Sequence, residues 1–150
     1  MNISTATWGE IEINDDQIYK FSKGIPGFDE EIELALIHQE NGPFCYLQST
    51  KEPTLSFMLV SPFTFCPEYE FVLSDADREE LGIDEEVIVY NMVTIHHQVE
   101  QSTINLLAPL IFNPVTQTAK QVILHESVYT TRYLILNGMR SEPKSMEGGN

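Results

Sequence analysis

Along the chain, short runs rich in β-branched and aromatic residues alternate with Gly, Pro, Asn and Asp. TATWGEIEI and QIYKF flank NDD, which reads as a hairpin with an Asn/Asp turn. In it Trp8, Glu10 and Glu12 share one face, and Ile11 and Ile13 the other. IELALIHQ is a third strand, turned by ENGP into FCYLQS. TLSFMLVSP, EYEFVLS, EEVIVYNMVTIH, STINLLA, KQVILHE and TRYLILN follow at a spacing of about 8–12 residues. Many short strands so spaced predict an all-β fold, an antiparallel β-barrel-like or sandwich domain. LSDADREELGI departs from this pattern. Ser74 is placed as N-cap with Asp77 three residues on, acids fill the first turn, and Gly82 sits at the C-cap, so one short helix is predicted at about 75–82. A single domain is expected over 1–140, with a flexible, polar, Gly-rich tail at 141–150.

The stretch QSTINLLAPLIFNPVTQTA, residues 101–119, carries no ionisable side chain. It is no membrane span, because its Gln, Ser, Thr, Asn and Pro residues would leave polar groups unpaired in hydrocarbon. No other window approaches the roughly 18 apolar residues a spanning helix needs. The opening MNISTATWGEIEIND lacks the basic and apolar regions of a signal peptide. Ile104, Leu106 and Ala108 share a strand face with Leu107 on the other, so 104–107 is core. Pro109 and Pro114 bracket LIFN, and because Pro cannot donate to a ladder this part is expected at an edge or in a loop. Leu110, Ile111, Phe112 and Asn113 then have two readings: strand positions uncharged because buried, or an apolar partner-contact surface. Asn105 and Asn113 are also candidate turn residues.

Eight Lys and Arg face 23 Asp and Glu, a formal charge of -15. Such a field repels nucleic acid and anionic membranes, and steers in a basic partner or simply confers solubility. Cys45 and Cys66 have no C-x-x-C spacing, so a reduced, cytoplasmic chain with both thiols in or near the core is expected. His96 and His97 are adjacent in a strand and point to opposite faces, and His38 and His125 stand alone, so no metal site is expected. There is no G-x-S-x-G elbow and no phosphate loop. Most acids fall in turn clusters such as Asp15-Asp16, Asp29-Glu30-Glu31 and Asp84-Glu85-Glu86. The reading is a protein that is no enzyme and holds no cofactor. Its alternatives are a small-ligand barrel, with Phe57, Phe63, Phe65 and Tyr90 lining a cavity, and a hydrolase built on two converging carboxylates. In CPEYEF, Glu68 and Glu70 share a face around Tyr69, an acidic patch with a candidate aromatic anchor; the helix face of Asp77 and Glu80 is a second. In GIPGF, Gly24 and Gly27 supply positive φ around Pro26, with Phe28 as a core plug.

Three segments in order, FSKGIPGF (21–28), LQSTKEPTLSFMLVSPFTFCPEYEF (47–71) and INLLAPLIFNPVTQTAKQVIL (104–124), resemble the FliW family of flagellar assembly factors. The last carries Asn105 and Pro109 in its Asn-Leu-x-Ala-Pro motif, and the resemblance extends over roughly 5–136. It implies a non-enzymatic bacterial cytoplasmic protein of compact antiparallel β-barrel-like fold, monomeric when alone. Such a protein binds the basic RNA-binding dimer CsrA and stops it from repressing flagellin translation. Flagellin competes for it, which couples flagellin synthesis to filament export. The resemblance implies no direct contact with nucleic acid or membrane.

Overall fold

The N-terminal residues form a hairpin of β1 (Asn2–Thr5) and β2 (Gly9–Glu12), laid over the outside of a larger sheet. That sheet is built from β3 (Ile18–Lys20), β4 (Glu33–His38), β5 (Phe44–Ser49), β6 (Ser56–Val60), β7 (Ile88–Thr94), β9 (Leu110–Asn113) and β10 (Thr118–Gln121). β8 (Thr103–Ile104) and β11 (Tyr133–Leu134) extend it beyond β7. Helices α1 (Pro62–Phe65) and α2 (Asp75–Leu81) interrupt the strands. This computed structural model describes residues 1–30, 32–39, 42–84, 86–125 and 127–137. The tail expected at 141–150, Glu40 and Asn41 of the ENGP turn, and Glu31 and Glu85 of the acidic clusters lie outside the described residues.

Seven strands, β3-β4-β5-β6-β7-β9-β10, close on themselves as a barrel, as the alternation predicts. Neighbours pair antiparallel except at one seam, where β10 meets β3 in parallel through the single register pair Thr118↔Lys20. Gln117 reinforces that seam. Its carbonyl accepts from Lys20 N–H at 2.9 Å, and its Nε2 donates to the carbonyls of Asp15 and Ile18 at 2.6 and 2.9 Å. Gln117 holds φ 56°, a left-handed conformation disfavoured for a side-chain-bearing residue, and these bonds keep it there.

Alternation sorts the core into layers. Tyr19, Phe21, Leu34, Leu36, Cys45, Leu47, Leu59, Leu110, Phe112 and Ala119 make one cluster, the barrel filling. Val60, Phe65, Tyr69, Leu81, Ile104, Leu106, Ile111, Val122 and Leu124 make a second, on the side covered by the helices. β9 contributes to both, Leu110 and Phe112 to the first and Ile111 to the second, and all three are 0% exposed. This overturns the expectation of an edge or loop at 110–113. β9 is flanked by β7 on one side and β10 on the other, and Pro109 and Pro114 lie just outside it, where their missing N–H groups interrupt no rung. The segment is uncharged because it is buried on both faces.

Several local expectations are revised. The first hairpin turns at residues 6–8, where Trp8 N–H donates to Thr5 Oγ1 at 2.8 Å, and Trp8 lies edge-on against Tyr46. NDD instead opens a 3-10 turn, Asp15–Gln17, whose Gln17 Oε1 accepts from Asn14 N–H. EYEFVLS joins no ladder, while STINLLA and TRYLILN each keep a two-residue strand. α1 was not foreseen, although Ser61-Pro62 has the form of an N-cap followed by Pro at the first helical position. In GIPGF, Gly24 (φ 69°) has no room for a side chain, since a Cβ would lie 2.6 Å from the Asp29 carbonyl oxygen; Gly27 has φ 91°. Ile25 is the residue this loop buries. Pro26 is exposed, and Phe28, expected as the core plug, is 42% exposed and rests edge-on against Phe57.

α2 matches its sequence signals. Ser74 Oγ accepts from Asp77 N–H at 3.1 Å, and Gly82 takes the left-handed conformation that lets its own N–H and that of Ile83 close the last turn. Asn113 joins this helix to the barrel: its Nδ2 donates to the carbonyls of Leu81 and Gly82 at 2.7 and 3.2 Å, and its Oδ1 accepts from Val115 N–H. Lys120 on β10 makes the second tie, with Nζ 2.6 Å from Asp77 Oδ1 and 2.7 Å from Glu80 Oε1. Hydrogen bonds from Lys120 hold both carboxyls below their ordinary values of 3.8 and 4.5, and the same bonds raise Lys120.

Two outcomes follow. Phe112→Ala, which removes a ring packed edge-on against Tyr19, Phe21 and Tyr90, is expected to lower the unfolding free energy by about 3–5 kcal/mol in urea titrations. Lys120→Met is expected to lower it by about 1 kcal/mol at neutral pH, since all three groups are partly solvent-screened. The carboxyl pKa values are depressed on folding, so this stabilisation is present above the ordinary carboxyl values and is lost as pH falls through the depressed ones. Wild type and Lys120→Met should therefore converge well below pH 3.8.

Candidate functional site

After α1 the chain makes a tight turn. Cys66 N–H donates to the Pro62 carbonyl and Tyr69 N–H to the Cys66 carbonyl, which leaves Pro67 and Glu68 in solvent and swings Tyr69 inward. Tyr69 is 3% exposed. Its hydroxyl donates to the Leu106 carbonyl at 2.7 Å and accepts from Asn91 Nδ2 at 3.3 Å, while Asn91 Nδ2 also donates to the Asn105 carbonyl at 2.8 Å. Its ring lies 4.6 Å from that of Tyr129, and Phe63 and Phe71 pack beside it. Burial pushes the phenol up to about 12. Tyr69 is thus an internal post and not the surface anchor its neighbours suggest. Asn105 works beside it, its Oδ1 accepting from the N–H groups of Leu107 and Ala108, so the turn into β9 is held from both sides.

Of the expected contact residues, Glu68 and Glu70 are exposed, while Tyr69, Leu110, Ile111, Phe112 and Asn113 are enclosed. Asp77 and Glu80, the second acidic candidate, are engaged with Lys120. The surface beside Glu70 holds what the sequence reading missed. Residues 70–74 and 120–125 run as two walls of a groove of about 810 Å³, completed by residues 127–129. Val72, Ile123 and Val128 line it at 92%, 56% and 89% exposure, values that mark them as unpartnered apolar surface. Period-2 parity carried a signal for two of them. Val72 has the parity of Glu68 and Glu70 and not of Tyr69 and Phe71, and Ile123 that of Gln121 and His125 and not of buried Val122 and Leu124.

Phe57 and Tyr90 pack on the barrel filling, Phe65 on the outer cluster, and Phe63 is 45% exposed, so the four aromatic residues expected to line a ligand cavity do not share one. His96 and His97 lie past the end of β7 with rings stacked at 4.3 Å, and do not point to opposite faces as a continuing strand would place them. Among the described residues no group of three His, Cys, Asp or Glu side chains could hold a metal ion. Both cysteines are buried and free, and burial raises both thiols, Cys45 to about 12, the reverse of what a nucleophile needs. No helix among the described residues is long and apolar enough to cross a membrane.

The Tyr69 post is open to test. Tyr69→Phe deprives the Leu106 carbonyl and Asn91 Nδ2 of a partner, and is expected to lower the unfolding free energy by about 1–3 kcal/mol in urea. Asn91→Ala made on that background should cost less than in wild type, because the two share one network.

A family model described as FliW protein matches residues 2–135. A flagellar assembly factor FliW from Desulfitobacterium hafniense (strain DSM 10664 / DCB-2) is 41% identical over 152 aligned residues, covering 99% of each chain. One from Bacillus subtilis (strain 168) is 44% identical over 138, covering 90% of this chain and 96% of its own. A crystal structure of the flagellar assembly factor FliW superposes with a TM-score of 0.85 at 39% identity, covering 90% of this chain and 96% of that one. The closed barrel and near full-length correspondence give one conclusion: the chain belongs to the FliW family.

Proposed function

We propose that this protein is a flagellar assembly factor that works in the cytoplasm by binding other proteins and not by catalysis. Its target is the basic RNA-binding regulator CsrA, whose capture relieves repression of flagellin translation; flagellin competes for it, so export of flagellin frees the factor to act. Correspondence over nearly the whole chain with proteins named flagellar assembly factor carries the assembly-factor part of this reading. The formal charge of -15 supports a basic target, since such a field raises encounter rates with positive surfaces and disfavours nucleic acid. Along the sequence the acids fall in several separate clusters, such as Asp15-Asp16 and Asp29-Glu30-Glu31, where an RNA mimic would carry them as one extended face. CsrA is therefore met beside its RNA-binding groove, first by the acidic field and then by apolar contacts that set the off-rate.

Calorimetric titration of the full chain with purified CsrA at low and high salt tests this. Binding that weakens with salt yet persists is expected, and flagellin should displace CsrA. Replacing Glu68 and Glu70 together by Lys should slow association about tenfold at low salt with little change in dissociation. Absence of heat and of complex at both salt concentrations would remove the CsrA reading.

A further inference from the structure

The groove beside Glu70 is walled by backbone with unused bonding capacity. The antiparallel ladder of β9 and β10 continues past Gln121: Val122 N–H donates to the Pro109 carbonyl and Leu124 N–H to the Leu107 carbonyl, each at 2.9 Å. In such a ladder the intervening residue directs its N–H and carbonyl the other way. Ile123 is that residue, and its side chain lines the groove. Among the described residues no backbone hydrogen bond engages the N–H of Ile123, nor those of Phe71, Val72 and Leu73 on the facing wall. Exposed sheet edges are ordinarily blunted by Lys, Pro or a covering element. Residues 121–125 read Gln-Val-Ile-Leu-His, with no Lys or Pro among them, and the exposed apolar side chains at the groove, Val72, Ile123 and Val128, are all β-branched.

The charge of the groove says what would fill it. Glu70 and Asp77 line it, Glu80 shares Lys120 with Asp77, and among the described residues Lys120 is the only Lys or Arg in the lining, so carboxylates outnumber cations. We propose that residues 71–73 and 121–125 form an acceptor slot for one extended segment of the basic partner, added as a strand along the Ile123 edge. That segment alternates apolar residues, set against Val72, Ile123 and Val128, with Lys or Arg facing Glu70 and its neighbours. It spans about five residues, the length of the open edge. The basic character of the partner rests on the function proposed above; the strand addition rests on the edge itself.

The test titrates the isotopically labelled full chain, followed by amide resonances, with a short peptide alternating valine with lysine. Two controls accompany it, one alternating valine with glutamate and one valine–lysine peptide N-methylated at alternate backbone nitrogens. Shifts confined to 71–73 and 121–125, weakened by salt, and at least about tenfold weaker binding of both controls are expected. Ile123→Pro, which deletes the groove-facing N–H while sparing the bonds of Val122 and Leu124, should abolish peptide binding with the rest of the spectrum unchanged. Val72→Asp with Ile123→Asp should do the same. Equal binding of either control, shifts elsewhere on the barrel, or concentration-dependent self-association through the same amides would overturn the proposal. CsrA separates the two readings. If it binds wild type and the double Asp variant alike, the slot is not its seat although the CsrA reading stands. If it binds wild type but not that variant, the slot is supported. If it does not bind wild type, the CsrA reading falls and the peptide result alone decides the slot.

Discussion

β9 is enclosed on every side: Leu110 and Phe112 fill the barrel, Ile111 and Asn113 meet the outer layer, and its two edges bond to β7 and β10. The three apolar side chains, each worth about 1.5–3 kcal/mol of burial, hold together elements that are distant in sequence. If β9 moved, the ring would open between β7 and β10, and α2 would lose the Asn113 bonds that satisfy its last carbonyls. The turn into β9 also receives Tyr69 and Asn105, so the walls of the groove take their positions from the same strand.

How far this was legible in the sequence depended on whether a residue's surroundings were local. α2 was readable because Ser74, Asp77 and Gly82 act within one another's reach. Barrel class was readable because alternation survives wherever one face is wet. β9 was misplaced because a strand buried on both faces loses its alternation, and its flanking prolines look like edge markers when they stand just outside the rungs. Tyr69 could be read from sequence either as an interface anchor or as a half-buried strand residue: its acidic neighbours are exposed, and only the fold brings the Leu106 carbonyl and Asn91 to its hydroxyl. Of the candidate contact residues, Glu68 and Glu70 stayed on the surface. The apolar ones that accompany Glu70 there, Val72 and Ile123, had been read as ordinary strand positions.

Charge plays two separate roles in the molecule. Within the fold it is used sparingly, and the ion pairs found among the described residues are those of Lys120 with Asp77 and Glu80. With 23 acids against eight Lys and Arg, the remaining carboxylates repel one another across the surface at some expense of stability. That excess does nothing for the core, where β-branched and aromatic packing suffices; under the proposed function it serves to draw in a basic partner. In the proposed slot this field would meet the exposed side chains of Val72, Ile123 and Val128, joining long-range attraction to short-range adhesion.

The parallel seam has a kinetic meaning. β3 and β10 are separated by about a hundred positions of chain and share one register pair, supplemented by Gln117 reaching back to Asp15 and Ile18. Contacts so far apart in sequence are made late, after hairpins such as β4–β5 and β5–β6 have formed from neighbouring segments. With the seam open the sheet would end at β3 on one side and β10 on the other, and the Phe112 ring would lack its contacts with Tyr19 and Phe21. Gln117 is the latch: a single left-handed glutamine whose carbonyl and amide bind across the place where the two ends of the sheet meet.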